Sequence, residues 1–393
     1  MTGRRPMAHP VGHGRGPGPR RAGLTAGAAA LVVVLLSVTG TLAGRQAAQL
    51  PPTVSPGAAT PSPAATALAD GPTPAPTTSA PSSGAPLPAP ITHGAFAGDL
   101  LIADRGNDRI LIVNSQKKIL WRFPGTGSLP PGQGFSADDA FLSPDGKTIL
   151  ASEEMHQVLA RIDIATRRIT WQYGHYGRTG AAAGFLNTPD DAYPLANGNV
   201  TVADIRNCRV IEIAPDKHIV RTWGQTGVCR DAPPFSYNEP NGDTPLPDGG
   251  ILITEIRGSR VVRLDASGRV KYDIHVPVLY PSDAQLDPHG NIVVADYSNP
   301  GAVVSVSSTG RLLWRYGPAS GAGRLDHPSL ADPLADGTII LNDDLRDRVI
   351  LLNPKTGRIL WQYGSTGSAG RGADRLHIPD GVNLIPPGVI QGL

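Results

Sequence analysis

The stretch DDAYPLANGNVTVADIRNCRVIEIAPDKHIVRTW, residues 190–223, decides the fold. After a short first segment, 190–195, apolar and polar residues alternate in segments 200–204 and 209–213 as in half-buried strands, and 218–223 is a fourth segment. Turn residues separate the segments, first at Asn197-Gly198 and later at Pro215-Asp216. The stretch therefore predicts a meander of four short antiparallel strands, and it leaves no room for a helix of any length.

The same unit recurs six times, and each copy begins with a small polar residue. The first residues of the copies are Asp138, Asp190, Asn241, Ser282, Ser329 and Asp380. Successive copies start between 41 residues (241 to 282) and 52 residues (138 to 190) apart. Four-stranded units at a period of about 40 to 50 residues are typical of β-propeller blades. Proline inside the first strand, at positions 194, 245 and 333, restricts that strand to a sheet edge such as the one lining a central channel.

The two ends of the repeat region are expected to complete one blade. Residues 98–104 begin with a second strand, whereas residues 380–386, which include Asn383, match only a first strand. We therefore predict an all-β, six-bladed propeller of four-stranded antiparallel blades. In this prediction the C-terminal strand completes the N-terminal blade and closes the ring.

Short motifs within the units resemble NHL repeats. An acid precedes an arginine by five residues in Asp104–Arg109, Asp204–Arg209, Glu255–Arg260 and Asp343–Arg348, and GFLNTP (184–189) and GRLDHP (323–328) precede two first strands. The segment NPKTGRILW (353–361) is also similar to the tryptophan-ended repeat of quinoprotein-like propellers and to arylsulfotransferase-like propellers. These resemblances imply a propeller over about 98–390. Because both families contain binding proteins and enzymes, they leave the function open.

The chain before residue 91 predicts export. Five arginines and no acid occupy residues 1–21, and residues 22–44 carry no charge over a length that can span a bilayer. Residues 45–90 are almost wholly Ala, Pro, Ser, Thr and Gly, which predicts a disordered linker. We therefore expect a cytoplasmic tail (1–21), a single-pass signal anchor (22–44), the linker, and a propeller outside the cell membrane (91–393). A cleaved signal peptide and a secreted form remain open, since Thr41-Leu42-Ala43 resembles a cleavage site.

Charge and cysteine content narrow the class of protein. Six of the 35 basic residues and one of the 33 acidic residues precede residue 91, so the propeller holds 29 basic and 32 acidic residues. This balance argues against a nucleic-acid partner. Cys208 and Cys229 are the only cysteines, and in an exported protein we expect them to form a disulfide. We expect the propeller to be a monomer.

Two repeated features are interpreted as structural. The acid–arginine pairs are expected to brace the turn between the second and third strands of a blade. Tryptophan recurs at positions 121, 171, 314 and 361, at the outermost strand, where we expect it to pack between blades. A pyrroloquinoline cofactor is not predicted, because in the family that the chain resembles it goes with a larger, eight-bladed ring.

The starts of the first strands are the strongest candidates for chemistry. We expect their carboxylates to converge at the mouth of the channel: Asp138, Asp139, Asp190, Asp191, Asp243, Asp283 and Asp380. Two interpretations are open. The side chains cap local turns, or they bind Ca²⁺ or Mg²⁺, with Asp139, Asp191 and Asp283 as ligands, or carry out acid–base chemistry. No first strand begins with histidine, which the zinc lyases and arylsulfotransferases of the resembled families need at the channel.

The repeat departs from its pattern in two places, and these departures indicate a binding site. The loop after the third unit, 224–240, is long and carries Cys229, Phe235 and Tyr237, whereas the fourth unit lacks a comparable loop. Phe235, Tyr237 and Asn383 therefore join the carboxylates as predicted ligand-binding residues. The leading hypothesis is a membrane-anchored propeller that binds a protein or small ligand on its top face without catalysis. The alternative is a hydrolase, lyase or transferase that uses the acidic mouth with a divalent metal, and a structural envelope protein is a third possibility.

Overall fold

The computed structural model describes residues 96–390 of the 393-residue chain. The predicted tail, anchor and linker (1–21, 22–44 and 45–90) lie outside the described residues. The helices described are three-residue 3-10 turns: Arg105–Asn107, Glu154–His156, Ile205–Asn207 and Asp344–Arg346. Between residues 96 and 390, no helix is long and apolar enough to cross a membrane.

The strands form six antiparallel sheets, which are the six blades of a propeller. Blade 1 begins with β1 (Asp99–Asp104), β2 (Arg109–Asn114) and β3 (Ile119–Phe123). Blade 2 contains β4 (Ala140–Leu142), β5 (Thr148–Glu153), β6 (Val158–Asp163) and β7 (Arg168–Gly174). Blade 3 contains β8 (Val200–Asp204), β9 (Arg209–Ile213) and β10 (Ile219–Trp223), and blade 4 contains β11 (Ile251–Glu255), β12 (Arg260–Leu264) and β13 (Val270–His275).

The remaining blades have four strands each. Blade 5 contains β14 (Pro281–Leu286), β15 (Ile292–Asp296), β16 (Ala302–Val306) and β17 (Leu312–Tyr316). Blade 6 contains β18 (Ala331–Pro333), β19 (Ile339–Asp343), β20 (Arg348–Asn353) and β21 (Arg358–Tyr363). The last strand, β22 (Pro379–Ile385), pairs antiparallel with β1 and is the innermost strand of blade 1. The predicted all-β fold with six blades is confirmed.

The innermost segments of blades 3 and 4 are more irregular than the sequence predicts. Each makes only isolated bridges to the next strand, at Pro189 and Pro194 in blade 3 and at Pro240 and Pro245 in blade 4. The physical reason is that proline has no N–H to donate to a ladder. The expected edge position is confirmed, since β18, which ends in Pro333, pairs with β19 alone.

Apolar side chains fill the interfaces between neighbouring blades. Ile112 of blade 1 and Ile149 of blade 2 belong to one buried cluster, and Val303 of blade 5 and Ile350 of blade 6 belong to another. A further cluster contains side chains of blades 6 and 1. Alternate side chains along a strand therefore pack against different neighbouring blades, as in a propeller.

The recurrent tryptophans join one blade to the next. The indole N–H groups of Trp121, Trp171 and Trp361 each donate a hydrogen bond of 2.9 Å to a backbone carbonyl of the following blade. Trp314 packs against the cluster between blades 5 and 6. Their predicted role in packing between blades is confirmed.

Three of the four predicted acid–arginine braces are present. The Nε atoms of Arg109, Arg209 and Arg348 lie 2.6 to 2.8 Å from the carboxylates of Asp104, Asp204 and Asp343, respectively. In blade 4 the prediction is wrong. Arg260 contacts Asp273 of the outer strand, while Glu255 accepts a 2.9 Å hydrogen bond from the backbone N–H of Asn238.

The same acids also hold the loops that lead to the channel. Asp104, Asp204 and Asp343 accept hydrogen bonds of 2.7 to 2.8 Å from the backbone N–H groups of His377, Asn187 and Asp326. Each of these donors lies just before the innermost segment of a blade. The braces therefore fix both a hairpin and the position at which the chain enters the channel.

Candidate functional site at the channel mouth

The first residues of the inner strands meet at one end of the channel, as the repeat predicts. They line a cavity of about 260 Å³, here called the mouth, and five of the six take part: Asp138, Asp190, Ser282, Ser329 and Asp380. The sixth, Asn241, is buried, donates to the carbonyl of Ser282 and accepts from the hydroxyl of Tyr280. The repeat therefore produces a polar ring at the mouth.

Residues that the sequence interpretation did not single out complete the mouth. Arg105, Glu154 and Tyr297 each directly follow the acid that ends a second strand, and Tyr280 directly precedes β14. The sequence did contain a signal for Arg105, Glu154 and Tyr297, because these three residues occupy equivalent positions in their units. Which of those positions face the channel depends on the geometry of the turns, and the sequence pattern does not show it.

Arg105 is the only basic residue lining the mouth among residues 96–390. Its guanidinium contacts Asp138, lies 2.5 Å from Asp380 and lies 2.7 Å from Glu154. Burial alone would lower the pKa of Arg105, but the charges of Asp138, Asp380 and Glu154 raise it. The guanidinium thus stays charged and joins blades 1 and 2.

The pKa values of the carboxyl groups in the mouth are shifted in different directions. Burial alone would raise the pKa of Asp380, but Arg105 and neighbouring hydrogen bonds lower it. Burial, followed by the negative charges of Asp380 and Asp190, raises the pKa of Asp138. Burial, followed by the charge of Glu154, raises the pKa of Asp190 to about 7.

A second group of carboxyls, here called the lower carboxylates, accompanies the mouth: Asp139, Asp191, Asp243 and Asp283. Asp283 accepts hydrogen bonds from Thr244 (3.1 Å) and Gln285 (2.9 Å). Burial raises the pKa of each of the four, and for Asp191 the charges of Asp139 and Asp283 come next. The structure thus brings together all seven aspartates predicted at the channel.

The carboxylates that lie closest together in the structure are not the three that were predicted as metal ligands. The set whose oxygens approach within 4.8 Å of one another is Asp138, Asp139 and Asp190. Asp139 was predicted as a ligand, whereas Asp191 and Asp283 do not belong to this set. No histidine belongs to it among residues 96–390. His327 instead bonds to Asp326, and His377 bonds to the carbonyl of Gly106.

The remaining predicted residues lie apart from the mouth. Asn383 accepts a 3.4 Å hydrogen bond from the backbone of Leu142. Tyr237 is fully buried in the cluster between blades 3 and 4, to which Trp223 also belongs. Phe235 is exposed on the same loop. The predicted disulfide is confirmed, since Cys208 and Cys229 are bonded with their Cα atoms 5.2 Å apart.

Three exposed apolar side chains adjoin residues of the channel entrance in the sequence. Met155 directly follows Glu154, Leu279 directly precedes Tyr280, and Leu345 follows Asp344. Their exposed fractions are 68%, 79% and 47%. The surface that carries the mouth and these side chains is here called the top face. Phe235 is exposed on the loop that the ion pair of Glu239 with Arg206 joins to the turn of blade 3.

Comparisons with known proteins support the propeller fold and the resemblance to quinoprotein-like propellers. The model of the family described as outer membrane protein assembly factor BamB, a PQQ-type repeat family, matches residues 221–385. No curated protein matches the chain. None of the comparisons shows NHL repeats.

Solved structures are similar in fold. A protein of unknown function from Bacteroides caccae is 16% identical with a TM-score of 0.53, over 73% of this chain and 98% of that one. A streptogramin B lyase is 15% identical with a TM-score of 0.43, over 59% of this chain and 70% of that one. A catalytically inactive virginiamycin B lyase from Staphylococcus aureus, solved with quinupristin, is 17% identical with a TM-score of 0.41, over 56% and 67%. Identities this low carry no argument about chemistry.

Proposed function

We propose that this chain is an extracytoplasmic β-propeller that binds another exported protein on its top face, with a basic side chain of the partner in the mouth. The observation that carries the proposal is the charge imbalance of the mouth. Within residues 96–390, Arg105 is the one arginine that faces the carboxyl groups of Asp138, Asp190, Asp380 and Glu154. A cationic group entering the mouth would favour the ionised forms of Asp138 and Asp190, whose pKa values are raised, and would offset their charge.

The size of the mouth favours a side chain over a larger ligand. Its volume of about 260 Å³ lies below the range of about 300 to 1,000 Å³ that is usual for small-molecule sites. The rings of Tyr280 and Tyr297 lie 5.3 Å apart at its edge. Aromatic faces beside carboxylates suit an ammonium or guanidinium group.

The three exposed apolar side chains support a protein as the partner. Met155, Leu279 and Leu345 are adjacent in sequence to charged or aromatic residues of the channel entrance. A protein interface combines apolar anchors of this kind with polar contacts. A small cation alone would not cover them.

The location of the propeller follows from two observations and one expectation. The disulfide between Cys208 and Cys229 and the BamB family match support an extracytoplasmic location. The uncharged run 22–44 then serves as a membrane anchor, and 45–90 holds the propeller away from the membrane. We further infer that β22 closes the ring, because its pairing with β1 joins both ends of the propeller.

Site-specific photo-cross-linking in living cells tests the proposed function. A photoreactive phenylalanine analogue at Leu279 samples the top face, and the same analogue at Leu312, exposed on the outer strand β17, is the matched control. We expect a discrete adduct with an exported protein at Leu279 alone. The adduct should decrease at least several-fold when Glu154→Gln removes a charge from the mouth. Equal adducts at both positions, or an adduct indifferent to Glu154→Gln, would refute the proposal.

The pKa of Asp190 favours one second candidate function. A carboxyl group that titrates near pH 7 is suited to general acid–base catalysis by a hydrolase, lyase or transferase. Purified full-length protein and Asp190→Asn can be screened in parallel with esters, lactones and aryl sulfates. Turnover by the wild type that the variant lacks would establish this candidate, whereas equal rates in both would exclude Asp190 as its base.

A further inference from the structure

Two carboxylates of the mouth, Asp138 and Asp190, and one of the lower carboxylates, Asp139, are close enough to share one ion. One oxygen of each of Asp138, Asp139 and Asp190 lies within 4.8 Å of the other two. Ca²⁺ binds oxygen ligands at about 2.3 to 2.6 Å. Oxygens up to twice that distance apart therefore fit around a single ion.

Unsatisfied buried oxygens provide a second and independent observation. Asp139 is only 4% exposed, and its Oδ1 has no hydrogen-bond partner in the described part of the chain, residues 96–390. The same is true of one oxygen of Asp191 and of both oxygens of Asp243, which is fully buried. Leaving a buried carboxylate without a partner is costly, so such groups are protonated, paired or bound to a metal.

The protein supplies little positive charge to these groups. Arg105 forms ion pairs with Asp138, Asp380 and Glu154. Among the described residues it forms none with Asp139 or Asp190, and its charge is a minor cause acting on the pKa of Asp190. The backbone at Gly381 is shaped around Asp139, because a Cβ at Gly381 would lie 2.6 Å from Asp139 Oδ1. The position of Asp139 is thus built into the packing of blades 1 and 2, and its charge is left for another group to offset.

We propose that Asp138, Asp139 and Asp190 form a binding site for a divalent cation of the Ca²⁺ or Mg²⁺ class. All three ligands are carboxylate oxygens, which these hard cations prefer and which disfavour zinc in the absence of histidine or cysteine. Asp138 and Asp190 line the open mouth, so water can complete the coordination. Ca²⁺ tolerates irregular ligand arrangements better than Mg²⁺ and is the first probe.

The bound ion would join two blades and displace protons. Asp138 and Asp139 belong to blade 2 and Asp190 belongs to blade 3, so an ion bridging them stabilises the folded state. Carboxyl groups with raised pKa values release protons when they bind a metal. This inference does not rest on the proposed function. Because both use Asp138 and Asp190, the ion and a basic side chain of a partner would exclude one another from the mouth.

Calorimetric titration of the purified full-length protein tests the site. The protein is stripped with EDTA, dialysed and titrated at pH 7 with CaCl₂ and separately with MgCl₂, in two buffers of different ionisation enthalpy. We expect saturable binding of one ion, an apparent enthalpy that depends on the buffer because protons are released, and a melting temperature raised by several degrees. Absence of saturable binding of either ion to the folded protein would overturn the proposal.

Variants locate the ion and provide the control. Asp190→Asn is expected to weaken binding at least tenfold, whereas Asp231→Asn, which alters an exposed acid on the loop after blade 3, should bind as the wild type does. Asp190→Glu keeps the charge and should bind more tightly than Asp190→Asn, which gives a second comparison if the amide variant fails to fold. Unchanged affinity in either Asp190→Asn or a double Asp138→Asn, Asp139→Asn variant would place the ion elsewhere and refute this site.

Discussion

The side chains of Arg105 and Asp380 meet at 2.5 Å in the channel mouth although 275 residues separate them in the sequence. Arg105 follows β1, and Asp380 lies in β22, which pairs with β1. The same guanidinium contacts Asp138 and Glu154 of blade 2. One side chain therefore connects the strand that completes blade 1 to the next blade and sets the charge of the candidate site.

Removal of the guanidinium should destabilise the fold strongly. Arg105→Met leaves the buried carboxylates of Asp138 and Asp380 without their cation, and breaking a buried ion pair in this way costs about 3 to 5 kcal/mol. The matched control is Arg206→Met, which removes an exposed arginine paired with Glu239 and should cost about 1 kcal/mol or less. Urea denaturation of both variants measures the difference, and equal losses would contradict the role given to Arg105.

The close approach of β22 to blade 2 can be tested at Gly381. An added Cβ would lie 2.6 Å from Asp139 Oδ1 and 2.9 Å from Asp139 Cα. Gly381→Ala should therefore lower the free energy of unfolding by about 1 to 3 kcal/mol through overpacking. Gly372→Ala is the control, since its nearest neighbour would be a side-chain atom 3.8 Å away. A stable Gly381→Ala variant would show that β22 and β4 are not held this closely.

Without divalent cations, stability should increase as the pH is lowered from about 8 to about 5. Burial is the main cause that raises the pKa of Asp190 from 3.8 and of Glu255 from 4.5, each to about 7. Between the ordinary and the raised pKa of each group, the folded state binds more protons than the unfolded state. The free energy of unfolding therefore falls as pH rises. The pKa of Asp380 is lowered. This group therefore makes the free energy of unfolding rise with pH, but only below its ordinary pKa.

Urea midpoints measured in EDTA across this pH range check the prediction. Glu255→Gln removes one of the groups with a raised pKa and should make the profile less steep. A midpoint that rises with pH in the wild type would contradict the assigned pKa shifts.

The disulfide should contribute about 3 kcal/mol to stability, since it closes the long loop after blade 3. Paired Cys208→Ala and Cys229→Ala substitutions should therefore lower the urea midpoint. Dithiothreitol should lower the midpoint of the wild type by a similar amount and leave the double variant unchanged. If the reductant weakens the double variant equally, the loss comes from another cause.

The regularity of the repeat explains why so much of the architecture could be predicted. Alternating segments such as 200–204 and 209–213 form the strands β8 and β9, because each unit carries its own turns and apolar faces. The interblade role of Trp121 and the brace between Asp204 and Arg209 follow from recurrence alone. Recurrence misled only where a unit departs from the pattern, as at Arg260, which turns to Asp273.

Prediction of the site was less complete, and the reason is geometric. Asp138 and Asp190 could be placed at the mouth because they begin equivalent strands. Arg105 could not, since it lies in a turn whose side-chain direction depends on local backbone angles. Tyr237 was expected to bind a ligand, but its ring is buried in the apolar cluster between blades 3 and 4.

The sequence by itself determined the number of blades, their strands, the pairing of the cysteines and the acidic character of the channel, because these depend on patterns within one unit or on composition. Only the tertiary structure decided which carboxylates share Arg105, which oxygens remain without a partner and which three aspartates lie within reach of one ion. The physical reason is that these properties arise between blades, from distances of a few ångströms that no spacing along the chain encodes.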